Sequence, residues 1–444
     1  MISFKNKKIL IFGLKRSGEA VIRLFNKHGI KVNMTDENVM LKDLPHDIKE
    51  NNYISYDDVF EILDQFDFLI TSPGIPVHHP LIQQAYTIDL PILSEIEVGY
   101  QFLPPGSKLI AITGTNGKTT VTTLLTNVLN NQGIRATSCG NIGYPLSEAV
   151  LVDLHEVFVC ECSSFQLDHI KYFRPDLAIW LNLAPHHLDH HGSFEAYQEA
   201  KFNLFKNMTY DDVAIINGDE LEKIPLRELI CHHYFFSVHD PSQQAYYDED
   251  EGMIYISGKP FMKRDEMLLQ GTENMMNVMA VILATKSLGG EDERLKETLS
   301  CFEPLKYRME HIGNWAGVDF YNDSKSTNAS AMLAAIRTLE QPILLIAGGK
   351  LKEDDYEKVF VHPNIKYVIT FGENRKVLKA ICDKVGKISF ECLNLLEAMR
   401  LVKQMMQDGD AVLFSPGAQS YDQYNNYVER GEDFNQLFET VIQF

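Results

Sequence analysis

Ala111-Ile112-Thr113-Gly114-Thr115-Asn116-Gly117-Lys118-Thr119-Thr120 joins an apolar run, residues 109–113, to a helical pattern over 118–130. The glycines let the backbone wrap closely around an anion. The amides at the helix amino end then face its negative charge. Lys118 can reach the β- and γ-phosphates of a nucleotide, and the Thr119 hydroxyl can reach magnesium. The general phosphate-loop spacing asks for glycine at 112, where Ile112 stands, so this is a shortened variant. A tight strand–helix turn does not require a lysine followed by two threonines.

Similar strand–turn–helix patterns lie on both sides. Upstream, a strand over 8–12 runs into the turn Gly13-Leu14-Lys15-Arg16-Ser17-Gly18 and a helix over 19–27. Strands over 31–35 and 67–71 end at Asp36 and at Ser72-Pro73-Gly74. In such sheets ligand loops gather at the carboxyl ends of the strands. A dinucleotide fingerprint needs glycine at 15, and Lys15 excludes that reading. Within the middle, strands over 157–160 and 177–181 end at Glu161 and Asn182. A hairpin over 246–262 and a helix over 272–288 follow, and 301–308 reads as a linker. Downstream, strands over 343–346, 367–370 and 411–414 run into Gly348-Gly349, Gly372 and Ser415-Pro416-Gly417. The expected fold is α/β with three domains. These are a Rossmann-like N-terminal domain (1–97), a central P-loop-type mononucleotide-binding domain (98–302) and a C-terminal Rossmann-like domain (303–444).

Composition narrows the partners. Over 444 residues, 41 Lys and Arg face 61 Asp and Glu, a net charge of −20. Such a field repels phosphate, which excludes broad binding to nucleic acid or to an anionic membrane. A phosphorylated ligand must be held by a local device. No apolar stretch approaches the ~18 residues of a membrane helix, and the run over 9–12 is too short for a signal peptide. Seven cysteines without a C-x-x-C pair read as reduced thiols of a cytoplasmic protein.

Several further groups carry chemistry. Glu161, at the end of a buried strand beside a phosphate loop, stands where a magnesium ligand belongs. Leu183-Ala184-Pro185-His186-His187-Leu188-Asp189-His190-His191 invites a zinc reading, but the hydrolase spacing needs histidine at 185, where Pro185 stands. One histidine can contact a second magnesium, with others solvated on a loop. Ser193 can cap a helix over 194–205. On it Phe194, Tyr197, Lys201, Leu204 and Phe205 share one face. A lysine on an apolar stripe must lose its charge, find a carboxylate, be chemically changed, or extend its head to water. In Asn322-Asp323-Ser324-Lys325-Ser326-Thr327-Asn328, Ser326 or Thr327 can cap the next helix, over 329–338. Asp323 and Lys325 exceed any capping need. Asn274 and Asn277, three apart on a helix, can read an adenine edge.

Taken together, Thr113 to Thr120, Gly140-Asn141-Ile142-Gly143, Glu161 to Leu167, the His187/Asp189 loop, Ala200-Lys201 and Asn322 to Asn328 resemble the Mur ligase family, which relates to folylpolyglutamate synthases. A folate-type glutamate ligase is the alternative within that relationship. Gly13-Leu14, Ser72-Pro73-Gly74-Ile75-Pro76 and the segment Ser415 to Tyr424 point to the branch that adds D-glutamate to UDP-N-acetylmuramoyl-L-alanine. The resemblance implies an ATP-dependent amide ligase of cytoplasmic peptidoglycan precursor synthesis, acting as a monomer with two magnesium ions. It implies that Leu14, Lys15, Arg16, Ser17, Asp36, Gly74, Asn141 and Ser163 serve the UDP-sugar. Gly114, Thr115, Asn116, Gly117, Lys118, Thr119, Thr120, Asn274, Asn277, Arg308 and Asp323 would hold ATP. Thr119, Glu161, His187 and a carbamylated Lys201, its carbamate derived from carbon dioxide, would hold the metals. Thr327, Lys352, Ser420, Tyr421 and Tyr427 would hold D-glutamate. Lys118, Asn141, His187, Lys201 and Lys325 would carry the reaction. Two departures stand out: Glu273 occupies a place where the family usually has histidine, and the loop after Gly348-Gly349 is atypical, with Lys352 aligning better than Lys350.

Overall fold

Continuous apolar runs such as Ile9–Phe12, Val157–Glu161 and Leu177–Trp180 form strands buried along their whole length. Strands of that kind belong to parallel sheets covered on both faces. The computed structural model describes residues 2–152, 154–186, 188–350 and 355–443. It contains three sheets in two compact units. One unit comprises Met1–Met267 with Asn274–Cys301, the other Leu268–Glu273 with Phe302–Phe444.

The first unit holds two sheets. One has five strands, all parallel, in the order Asn52–Tyr53, Asn33–Thr35, Ile9–Phe12, Phe68–Thr71, Ile92–Ser94. The chain reverses its winding between Ile9–Phe12 and Phe68–Thr71, so Gly13 and Ser72 meet at the crevice where such folds bind ligands. The helix Arg16–Lys27 starts three residues earlier than its periodicity indicates and buries Ala20, Val21, Leu24 and Phe25. The other sheet has nine strands, with Lys108–Thr113 between Val157–Glu161 and Leu177–Trp180. The expected hairpin over 246–262 is instead three strands. Ala245–Asp248 continues the parallel sheet, then Met253–Ile256 and Lys259–Lys263 return antiparallel.

Two buried glutamates on the helix Glu95–Gln101 tie these sheets together. Glu97 Oε2 accepts from the amides of Lys171, Tyr172 and Phe173 at 2.9, 3.0 and 2.8 Å. Glu95 Oε1 accepts from the Ser147 amide at 2.6 Å. The second unit is built on a six-stranded sheet in which only Glu310–Trp315 runs antiparallel to its neighbour. Among the described residues no helix is long and apolar enough to cross a membrane.

Burial pushes the Glu95 carboxyl up to about 7, against 4.5 for a free side chain, although the Ser147 bonds pull it down. The folded chain therefore holds this proton more tightly than the unfolded chain. Its contribution is complete below the unfolded value and is lost as pH rises through the folded one. Glu95→Gln should match the wild type in stability near pH 4.5. Near pH 8 it should be more stable by about 1–3 kcal/mol, read by urea denaturation at the two pH values.

Candidate active site

The helix Lys118–Asn131 begins at Gly117, whose φ of +81° suits glycine, and no side chain caps it. The amino end of such a helix favours negative charge. A Cβ at Gly117 would lie 2.4 Å from Asn277 Oδ1, so this asparagine packs directly on the loop. Asn277 Nδ2 in turn donates to Asn274 Oδ1 at 3.4 Å, which brings both expected adenosine contacts to the loop's flank. Lys118 Nζ donates to the carbonyls of Gly114 and Thr115 at 2.7 and 2.9 Å. Asn182 fixes the crown of the loop: its carbonyl accepts from the Thr115 amide and its Oδ1 from the Asn116 amide, at 2.9 and 2.8 Å.

Beside the loop lie two of the groups expected to serve the metals. Glu161 is 2% exposed, and its Oε1 accepts from Asn141 Nδ2 at 2.8 Å. Its Oε2 is buried with no hydrogen-bond partner among the described residues. Asn141 therefore orients Glu161. The helix Phe194–Phe202 is capped by Ser193 as expected and carries Lys201 inward, 2% exposed. Lys201 Nζ donates to the Gly114 carbonyl at 2.8 Å and to Thr113 Oγ1 at 3.4 Å, and lies 4.8 Å from the Tyr197 ring centroid. Burial, reinforced by the charge of Lys118, holds its amine well below the usual lysine range. His187 lies outside the described residues. His190 and His191, later in the same loop, are enclosed, with side chains 10% and 3% exposed.

In the N-terminal sheet, Asp36 braces the turn expected to meet the uridine diphosphate. One carboxylate oxygen accepts from the Leu14 amide at 2.6 Å, the other from the amides of Asn38 and Val39 at 2.7 and 2.9 Å. Lys15, Arg16 and Gly74 are exposed and Ser17 half-buried. Ser163 is taken up otherwise: it caps the short helix Ser164–Leu167 in a reciprocal box with Gln166.

The second unit gathers the remaining residues around two loops. Asp323 Oδ2 accepts from Ser415 Oγ at 2.7 Å, and its Oδ1 from the Met309 amide at 3.3 Å. Burial pushes its carboxyl up to about 7, and Ser415 and Met309 pull it down before the charge of Arg308 does. Lys325 Nζ lies 3.9 Å from the Tyr427 ring centroid. Asn328, rather than Ser326 or Thr327, caps the helix Ala329–Arg337, its Oδ1 accepting from the Ala331 amide. Thr327 is half-buried, Ser420 buried, and Tyr421 62% exposed. Lys352 lies outside the described residues.

Three family models match the chain in order. They are the Mur ligase MurD-like N-terminal domain over 7–94, the Mur ligase middle domain over 112–285 and the Mur ligase glutamate ligase domain over 307–417. Relatives match across the whole length. The UDP-N-acetylmuramoylalanine–D-glutamate ligase of Streptococcus agalactiae serotype III is 36% identical, covering 99% of this chain and 98% of its own. The chain belongs to the Mur ligase family. The enzyme of the same name from Streptococcus mutans serotype c is 37% identical over the same shares. Among solved structures, MurF ligase from Thermotoga maritima in complex with ADP aligns with a TM-score of 0.63 at 15% identity, over 100% of this chain and 99% of that one. A pseudomurein peptide ligase type C from Methanothermus fervidus aligns at 0.62 and 15%, over 98% and 100%. At that identity these two establish the Mur ligase fold alone.

Sequence reasoning missed one residue that organises the Mur ligase C-terminal loops. Arg430 is fully buried. Its Nε and Nη2 donate to Ser324 Oγ and the Ser324 carbonyl at 3.1 and 2.7 Å, and its Nη1 to the Ala418 carbonyl at 2.9 Å. Nothing in its local sequence marks it, because its contacts to Ser324 and Ala418 form only in the fold. Arg430→Met should lower the unfolding free energy by about 2–4 kcal/mol in urea denaturation, since three buried acceptors lose their donor. Arg430→Lys, which retains a charged donor, should lose less. Equal stability of Arg430→Met and wild type would remove the tethering role.

Proposed function

We infer that this chain ligates D-glutamate to UDP-N-acetylmuramoyl-L-alanine at the expense of ATP, giving ADP and phosphate in peptidoglycan precursor synthesis. The carrying observation is the 36–37% identity over 99% of the chain to ligases of that name. The phosphate loop and the metal-ready Glu161, at the carboxyl ends of adjacent strands, support it.

A carboxylate does not acylate an amine at neutral pH, because its oxygen is a poor leaving group. In the proposed reaction a carboxylate oxygen of the UDP-sugar–alanine substrate attacks the γ-phosphorus, and ADP departs. The D-glutamate amine then attacks the acyl carbon of the resulting acyl phosphate. The C–O bond breaks, phosphate leaves, and the amine proton passes to the departing phosphate. Two anions meet in the first step, so the chain's work is mainly to position them and to supply positive charge through Lys118 and Lys325.

The residues present suit magnesium: the orphaned Glu161 Oε2 is a hard, negative oxygen beside the phosphate loop. Glu161, Thr119, His187 and carbamylated Lys201 would hold the ions, which offset phosphate charge when bound. The carbamate is supported by the buried, low-pKa amine of Lys201. A neutral Nζ adds to the carbon of carbon dioxide and releases a proton, leaving an anionic oxygen ligand. Asn274, Asn277, Arg308 and Asp323 are assigned to the adenosine. Thr327, Ser420, Tyr421, Tyr427 and Lys352 are assigned to D-glutamate, and Leu14 to Ser17, Asp36 and Gly74 to the uridine diphosphate. The boundaries 97/98 and 302/303, a cytoplasmic location and a monomeric state complete the reading.

Phosphate release with ATP, UDP-N-acetylmuramoyl-L-alanine and D-glutamate should appear in the wild type and fall by at least about 10³-fold in Lys118→Ala. No ADP from the wild type under these conditions would defeat the proposal. Lys201→Ala should be inactive and regain part of its turnover with millimolar acetate or formate, which replaces the missing carboxylate.

A further inference from the structure

Asp168, His190 and His191 bring one carboxylate oxygen and two imidazole nitrogens together, and none of the three has a part in the reaction above. Asp168 ends the short helix Ser164–Leu167, and the two histidines close the turn Leu188–His191. Asp168 Oδ2 lies 3.8 Å from His190 Nε2 and 3.7 Å from His191 Nδ1, and the three atoms are all within 4.8 Å of one another. These separations are too long for hydrogen bonds. Asp168 Oδ2 and His190 Nε2 are both buried with no hydrogen-bond partner among the described residues, and the His190 side chain is only 10% exposed. Two orphaned polar atoms aimed at one point need something to face.

Their neighbours hold the rings in place. His191 Nε2 lies 2.9 Å from Ser164 Oγ, and the ring stacks on Phe165 at an interplanar angle of 7°. The Phe165 ring also meets His190 in a T-shaped contact at 4.2 Å. A metal-binding imidazole usually has its second nitrogen engaged in this way, which leaves the first to offer its lone pair. In the tautomer whose Nε2 donates to Ser164 Oγ, His191 Nδ1 points a lone pair at a carboxylate oxygen, an arrangement that a cation between them makes favourable.

We propose that Asp168 Oδ2, His190 Nε2 and His191 Nδ1 form a site for one divalent cation of the Zn²⁺ class, with water completing its shell. Two imidazoles and one carboxylate suit such an ion, whereas magnesium prefers oxygen ligands throughout. Metal–ligand bonds of about 2.0–2.2 Å around a tetrahedral centre place ligand atoms about 3.4 Å apart. The two separations to Asp168 Oδ2 therefore need to close by only a few tenths of an ångström. The ion would clip the helix that follows Glu161 to the turn that follows His187, and it takes no part in electron transfer.

The test uses the full chain purified without a histidine tag. It is equilibrated with ZnCl₂ in excess MgCl₂ and then analysed for bound metal by mass spectrometry. Wild type and Glu161→Ala should each retain about one Zn²⁺ per chain. Asp168→Asn, which keeps the side-chain shape, and His190→Ala should bind at least about tenfold more weakly. Co²⁺ should give the visible absorption of a four-coordinate site in wild type, and that absorption should vanish in both variants. Zn²⁺ retained equally by Asp168→Asn and His190→Ala, Zn²⁺ lost only in Glu161→Ala, or no Zn²⁺ retained at all would each overturn the proposal. Circular dichroism of Asp168→Asn confirms that a loss of metal is not a loss of fold.

Discussion

The Gly114 carbonyl accepts from two lysine amines, Lys118 and Lys201, at 2.7 and 2.8 Å. Burial makes a charged amine costly there, and a second cationic side chain on the same neutral oxygen adds to that cost, which drives one of them towards its neutral form. Lys201 is the one that yields, because it is enclosed and donates to a carbonyl and a hydroxyl. The phosphate loop, the helix that brings Lys201 inward and the strand that ends at Glu161 all have to keep their places for this to hold. The chemistry of the central sheet follows from that crowding.

Elsewhere the same economy recurs with carboxylates. Asp36 and Glu97 each accept three backbone amides, and each fixes a loop that regular structure leaves unpaired. A carboxylate can satisfy several donors at once, so it suits a loop that must hold its shape without a ladder. The negative charge of the chain as a whole is therefore not only a surface property. Part of it is internal scaffolding.

The parts of this architecture that depend on local pattern were legible in the sequence. Buried parallel strands announce themselves as apolar runs, and the phosphate loop as glycines around Lys118. The helical spacing of Tyr197, Lys201 and Leu204 put Lys201 on an apolar face, and left open whether its amine stayed inside or reached water. What escaped depends on which of several competing partners the fold selects, near or far along the chain. Ser163 looked available and is occupied by Gln166. Asn328 takes the cap that Ser326 and Thr327 could equally have made. Arg430 meets Ser324 and Ala418 only through the fold. Periodicity cannot separate one hairpin from three short strands over 246–262, because the break lies in turn residues that either arrangement accepts.

Arg430 has a wider consequence. Its guanidinium holds the segment carrying Asp323 and Lys325 to the segment leading into Ser420. These segments are assigned to different reactants, nucleotide on one side and incoming amino acid on the other. Hence a redesign of amino-acid preference cannot treat the second segment as an interchangeable cassette. Any graft there inherits the obligation to present a carbonyl to Arg430, or it will disturb the nucleotide side through a residue that touches neither reactant.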